Sequence, residues 1–197
     1  MSELVSSPDT MQRAQSEVRR VLHGKTRVVK SDIQERLPYP ADGGLHPPVP
    51  LILPRLCSES TEVLGFHVPQ GTTVFVNVWA ISRDERSWPD ADEFKPERFE
   101  DGATVDLGGT DDFRFLPGGA GRRMCPGMAF GLANIEIVLA SLPYHFDWKL
   151  PGGANPCEMD MAESYGITAR RKSPLLLEAV PCVPLPPPMD QNLRSRD

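Results

Sequence analysis

The loop Phe115-Leu-Pro-Gly-Gly-Ala-Gly-Arg-Arg-Met-Cys-Pro-Gly127 runs straight into a helical stretch, and it leaves this chain few ways to fold. Gly119 and Gly121 permit a tight turn through backbone conformations closed to other residues. Arg122 and Arg123 put positive charge within three residues of Cys125. Pro126 suits the first position of a helix, whose N-terminus carries the positive end of its dipole. Both features favour thiolate over thiol, and thiolate is the form that ligates metal. The loop offers no companion Cys or His, so its pattern suits one axial ligand on haem iron rather than a zinc cage. The plainer alternative is a glycine-rich turn leading into a helix that buries an inert cysteine.

Composition narrows the rest. A chain of 197 residues can bury one respectable core. Its 21 prolines are about twice ordinary usage, and they crowd the loops and the tail. The net charge of −6, with no basic face or aromatic platform, argues against a nucleic-acid partner. Cys57, Cys125, Cys157 and Cys182 are scattered with no C-x-x-C pair, which fits a reducing compartment and neither a zinc site nor a disulfide framework. His23, His46, His67 and His145 share no metal-ligand spacing. The polar N-terminus shows no signal peptide. The most apolar helix, Met128 to Leu142, is interrupted by Asn134 and Glu136 and is too short to span a bilayer, so no membrane anchor is expected in the chain.

Periodicity supplies the elements. Residues 8 to 23 read as an amphipathic helix opened by Pro8-Asp9, with Met11, Ala14, Val18, Val21 and Leu22 on one stripe and Gly24 ending it. Residues 61 to 78 read as a hairpin turned by Pro69-Gln-Gly71, and Trp79 to Asp84 as a short helix. Glu85 to Asp112 is turn-rich. Pro126 to Leu142 is the strongest helix, with Met128, Leu132, Ile135, Leu139 and Leu142 on one side and Pro143 stopping it. Short strands fit Tyr144 to Leu150, Gly166 to Arg170 and Leu175 to Val180.

Several blocks then point to one family. Phe115 to Gly127 resembles the haem-binding loop of the cytochrome P450 family, and Gly-Arg-Arg-Met-Cys-Pro-Gly resembles its plant microsomal members. Phe94-Lys-Pro-Glu-Arg-Phe99 is similar to the family's meander motif, and Leu45-His-Pro-Pro48 to the segment after its helix K. Glu163-Ser-Tyr-Gly-Ile-Thr-Ala-Arg-Arg-Lys-Ser-Pro174 is similar to the C-terminal β-hairpin of plant members. The blocks stand in family order and cover nearly the whole chain. The resemblance implies an α+β fold class, the C-terminal part of a mainly helical fold: helix J, a β-hairpin, the meander, the Cys-ligand loop, helix L and a C-terminal β-hairpin. Residues 1–180 are then expected to form one truncated domain, with a Pro-rich disordered tail at 181–197.

The same resemblance assigns roles. Cys125 is the expected axial ligand of the iron of haem b (iron protoporphyrin IX), and Arg123 the partner of a haem propionate, assisted by Arg122. Pro117, Gly119, Gly121, Pro126 and Gly127 are expected to line the cofactor. Phe94, Pro96 and Arg98 are structural residues of the meander. No catalytic residue is assigned within the chain, because the family's long oxygen-activating helix is expected to lie upstream of residue 1. Two positions depart from the pattern. Gly118 stands where the family has an aromatic residue, and Pro40-Ala-Asp-Gly-Gly44 stands where a Glu-x-x-Arg turn is expected to pair with Arg98. Substrate contact is expected from Val49 to Leu53 and from Gly166, Ile167 and Thr168.

The implied activity is that of a haem-thiolate monooxygenase of plant specialised metabolism, inserting oxygen into a small apolar substrate with electrons from an NADPH-dependent reductase. The alternative is a truncated, non-catalytic remnant that binds haem weakly or not at all. Family members sit at the endoplasmic reticulum membrane, whereas a chain without the anchor is expected to be cytosolic or peripheral. An exposed apolar face on the Met128 to Leu142 helix is expected to drive association.

Overall fold

The computed structural model describes residues 1–33, 45–99 and 113–185. The expected Glu-x-x-Arg position, the end of the meander and most of the Pro-rich tail lie outside those residues. In chain order the described elements are α1 (Ser2–Ser6), α2 (Pro8–Val21), α3 (Lys30–Ile33), β1 (Arg55–Leu56), β2 (Thr61–Val63), β3 (Phe66–Val68), β4 (Thr73–Val74) and α4 (Val78–Ser82), then α5 (Met128–His145), β5 (Phe146–Lys149), β6 (Glu163–Ser164), β7 (Arg170–Arg171) and β8 (Glu178–Pro181). Two units divide the chain. One joins Met1–Leu37, Leu132–Met159 and Leu176–Asp197; the other joins Pro38–Gly131 and Asp160–Leu175.

In the first unit, α2 follows its sequence pattern. Pro8 sits in the first turn, where a missing N–H costs nothing, and Met11, Ala14 and Val18 are buried. The helix closes at Val21 rather than at residue 23, and Gly24 then takes a left-handed φ of 79°. Val18, Leu22, Val28, Ala140 and Tyr144 form the core, with Val21, Ile137 and Val183 packed against it. The Tyr144 hydroxyl lies 2.8 Å from the Leu22 carbonyl oxygen and 2.6 Å from that of Lys25. The buried hydroxyl thus sits within donating distance of two carbonyls just past α2, of which the Leu22 oxygen also accepts the Lys25 N–H at 2.9 Å.

Helix α5 departs from expectation at both ends. It begins at Met128 rather than Pro126, and it runs through Pro143 to His145. A proline removes one helical hydrogen bond, but position 143 lies in the last turn, and its ring is fully buried. Side chains take up the carbonyls there. Arg19 Nη2 donates to the Pro143 oxygen at 2.9 Å and the Phe146 oxygen at 3.1 Å, and Arg19 Nε donates to the Tyr144 oxygen at 3.4 Å. Trp148 Nε1 donates to the Leu142 oxygen at 3.2 Å. A guanidinium at a helix C-terminus is favoured by the dipole as well, and Asp147 anchors it from 2.8 Å. Ala140 and Tyr144 are buried, while Phe130, Ile135 and Val138 are exposed, an apolar surface on this helix of the kind expected. A helix apolar on every side gives periodicity no face to choose. After α5 the chain reverses, and β5 pairs antiparallel with β8, Asp147 opposite Val180.

In the second unit the strands are short and come in pairs. The hairpin expected around Pro69-Gln-Gly71 does not form; β2 and β3, both within its expected first arm, pair with each other across Leu64-Gly65. Both residues have positive φ, 52° and 82°, the requirement of a two-residue turn that matches strand twist. Thr73–Val74 pairs instead with Arg55–Leu56. Near the C-terminus Glu163–Ser164 pairs with Arg170–Arg171, so Gly166 to Thr168 are a turn and not the start of a strand. Asn77 caps α4 by accepting the Ala80 N–H at 3.0 Å. A small core of Trp88, Ala91 and Phe115 lies among the turns, and Trp88 Nε1 donates to the Arg114 oxygen at 3.1 Å. That bond ties the turn-rich segment to the residue before the cysteine loop.

Candidate functional site

The cysteine loop starts from an anchor. Phe115 and Leu116 are buried, and from there the backbone climbs to an exposed tip. The Gly119 N–H returns to the Leu116 oxygen at 3.2 Å. Gly121–Arg123 makes a 3-10 turn closed by the Met124 N–H on the Gly121 oxygen at 3.0 Å. Gly119 and Gly121 hold φ of 75° and 65°, so the two glycines named from sequence occupy the left-handed region that favours them. The Cys125 N–H then donates to the Gly118 oxygen at 2.9 Å and closes the loop.

Cys125 is exposed and not buried in the turn as the plainer alternative had it. Its carbonyl accepts the Met128 N–H at 3.3 Å, and the Gly127 carbonyl accepts the Gly131 N–H at 2.8 Å as α5 begins. The sulfur therefore stands just before a helix N-terminus, as expected, with Pro126 and Gly127 in a turn between them. A Cβ on Gly127 would sit 3.8 Å from Cys125 Sγ, so glycine there keeps the side of the sulfur open. Arg122 and Arg123 are exposed on the same tip, and Pro117 is half-buried at its base.

Two contributors escaped the sequence reading. A Cβ on Gly119 would lie 3.7 Å from Arg55 Nη2 and 3.6 Å from Ile52 Cδ1. Arg55 therefore brings a further guanidinium to the loop from far away in the chain. Met128 is the other: its thioether crowds Gly118. The signal for Met128 was available, because a side chain in the first turn of a helix leans back over the residues before it. Nothing local in the sequence marked Arg55.

Pro96 is fully buried, Phe94 is half-buried, and Arg98 Nη2 donates to the Pro89 oxygen at 2.9 Å and to the Asp90 oxygen. Residues 45–53 and 160–172 meet as well. The Ala169 N–H donates to the Pro48 oxygen at 3.0 Å, and His46 Nδ1 lies 2.6 Å from Glu163 Oε1. Partial burial pushes the Glu163 carboxyl up, yet hydrogen bonds from Tyr165 and His46 and the charges of His46 and Arg83 outweigh it, so its pKa lies below the ordinary glutamate value. The same bond to Glu163 raises Tyr165. Leu53 and Ile167, expected to touch substrate, are exposed.

Comparison with known proteins converges. The family model described as cytochrome P450 matches residues 1–177. The chain is 50% identical over 181 residues to desmethyl-deoxy-podophyllotoxin synthase of Sinopodophyllum hexandrum, covering 90% of the chain and 35% of that protein. It is 50% identical over 186 residues to zealexin A1 synthase of Zea mays, covering 91% of the chain and 36% of that protein. Premnaspirodiene oxygenase of Hyoscyamus muticus is 48% identical over 188 residues, with 93% and 37% covered. A solved zebrafish cytochrome P450, in a structure with abiraterone, superposes with a TM-score of 0.75 at 24% identity, over 91% of the chain and 43% of the fish protein. The chain thus spans about a third of the length of the curated relatives it matches.

Proposed function

The chain belongs to the cytochrome P450 family, and from that premise we propose that its second unit presents Cys125 as the thiolate ligand of haem iron. The residues present fit such a group. The donor set is one exposed sulfur, a Cβ on Gly127 would stand in contact with it at 3.8 Å, and Gly119 and Gly121 hold the positive φ the loop turns on. The exposed guanidinium of Arg123, with Arg122 beside it, matches a haem carboxylate by two parallel hydrogen bonds. Pro117, Gly119, Gly121, Pro126 and Gly127 carry the backbone past the cofactor face, while Phe94, Pro96 and Arg98 brace the meander. When bound, haem with a thiolate ligand supplies dioxygen activation for oxygen insertion into an apolar substrate. This chain's part is to hold the sulfur, to keep its side open at Gly127 and to neutralise carboxylates with arginine.

The relatives' names speak of synthases and oxygenases, so the substrate class is a small apolar plant metabolite, with electrons from an NADPH-dependent reductase. Site of action follows the family, at the endoplasmic reticulum; no helix among the described residues is long and apolar enough to cross a membrane. The observation that carries the reading is the exposed Cys125 poised before α5 on a loop closed by the Cys125–Gly118 hydrogen bond. The test is the dithionite-reduced, carbon-monoxide-bound absorption spectrum of the chain reconstituted with haem, beside Cys125→Ala. A strongly red-shifted Soret band that vanishes in the variant is expected. Its absence from the parent chain overturns the reading and leaves the remnant alternative.

A further inference from the structure

We infer that Met128 is a positioning residue for Cys125, filling with its thioether the space that Gly118 leaves open beside it. A Cβ on Gly118 would lie 2.9 Å from Met128 Cε, 3.0 Å from Met128 Sδ and 3.2 Å from Cys125 Cβ. No other glycine among those described is so crowded. Gly118 has no left-handed φ, so the lack of a side chain there answers to space and not to backbone conformation.

The arrangement closes on itself. The Cys125 N–H holds the Gly118 carbonyl at 2.9 Å, and the Met128 N–H holds the Cys125 carbonyl at 3.3 Å. The Met128 side chain, leaning back from the first turn of α5, completes the third side by packing on Gly118. The point where a Gly118 Cβ would stand thus has both Cys125 Cβ, at 3.2 Å, and the Met128 thioether, at 2.9 to 3.0 Å, close to it, so the thioether limits how far the loop that carries Cys125 can shift at Gly118. An unbranched thioether suits the task, because it fits irregular gaps that a branched side chain fills poorly. The meaning of that aim rests on the haem reading, but the packing itself does not.

The test is therefore run first without haem, on the full chain, as amide hydrogen exchange at Cys125. Removing the thioether in Met128→Ala is expected to speed that exchange about tenfold, and Met128→Leu, which keeps the volume, is expected to stay within about twofold of the parent. Gly118→Ala is expected to speed exchange several-fold in the parent and less in the Met128→Ala background, where the two nearest of its three close atoms are gone and only Cys125 Cβ remains. Should Met128→Ala not fold, Met128→Val, which lacks the thioether end, carries the same comparison. Unchanged exchange in the shortened variants, or equal effects of Gly118→Ala in both backgrounds, overturns the inference. The reduced, carbon-monoxide-bound spectrum of the same variants separates the two claims. Coupled exchange without a red-shifted band in the parent upholds the positioning role and sinks the haem reading. A band in the parent with uncoupled exchange does the reverse.

Discussion

In the helical unit Leu22 is 1% exposed, with Val18, Val28, Ala140 and Tyr144 closed around it. In the unit that carries Cys125, the turn residue Leu64 is 94% exposed and Phe66 beside it 74%. The first region is held by apolar burial and by side chains that take up helix-end carbonyls, Arg19 and Tyr144 above all. The second also buries Val78, Leu45 and Leu116, and adds backbone bonds of the loops, left-handed glycines and a small cluster among the described residues, Trp88 with Ala91 and Phe115. The difference separates stability from precision. Burial scales with the area removed from water, whereas a loop bond such as Cys125 to Gly118 fixes direction and adds little to the total.

Two truncations break that comparison if it is wrong, and they carry the largest expected effects. Leu22→Ala should cost about 3 kcal/mol of unfolding free energy, since a fully buried leucine loses both transfer energy and packing. Urea midpoints measure it. Trp88→Ala should cost about as much, for the lost ring and the lost hydrogen bond to the Arg114 carbonyl. Its signature should differ: amide exchange at Cys125 rises, because Phe115 loses the ring it packs against. Equal loss of protection at Cys125 in both variants would erase the distinction between the regions.

A smaller effect sharpens the account of the loop. Gly121 has φ of 65° and open space where a Cβ would go, so Gly121→Ala pays for backbone conformation alone. The expected cost is about 1 kcal/mol, read from the melting of the apo chain. A loss several times larger would reveal that the tip depends on contacts beyond its own turn.

These regions also differ in how far the sequence foretold them. The face of α2 was legible because its polar and apolar residues alternate at the helical period, so burial of Met11, Ala14 and Val18 followed. The inward face of α5 was not, because its apolar residues encircle it. Pro143 looked like a stop because local rules see the lost N–H, and they do not see Arg19 arriving from another helix. The hairpin turn was misplaced because Pro69-Gln-Gly71 carries the stronger turn signal, while Leu64 in a left-handed conformation is something sequence rules disfavour. At the site, Gly119, Gly121 and Cys125 lay within one local motif and were all legible. Arg55 came from a distant strand and was not.

The least effect expected is electrostatic, and it tests whether polar ties in the second unit contribute at all. Glu163 accepts from Tyr165 and lies against His46, and its carboxyl is held below the ordinary glutamate value. An unfolded chain then binds more protons than the folded one as the pH drops through this range, so stability must fall with it. The contribution is fully present above the unfolded glutamate value of about 4.3, and it fades as the pH falls through the lower value in the fold. Its size should stay under about 1 kcal/mol, because His46 is partly exposed to solvent. Amide exchange at Ala169, bonded to Pro48 in the same tie, should quicken on acidification in the parent, and Glu163→Gln should flatten that dependence. Identical acid profiles would mean that the ion pair contributes nothing to the joining of the two segments.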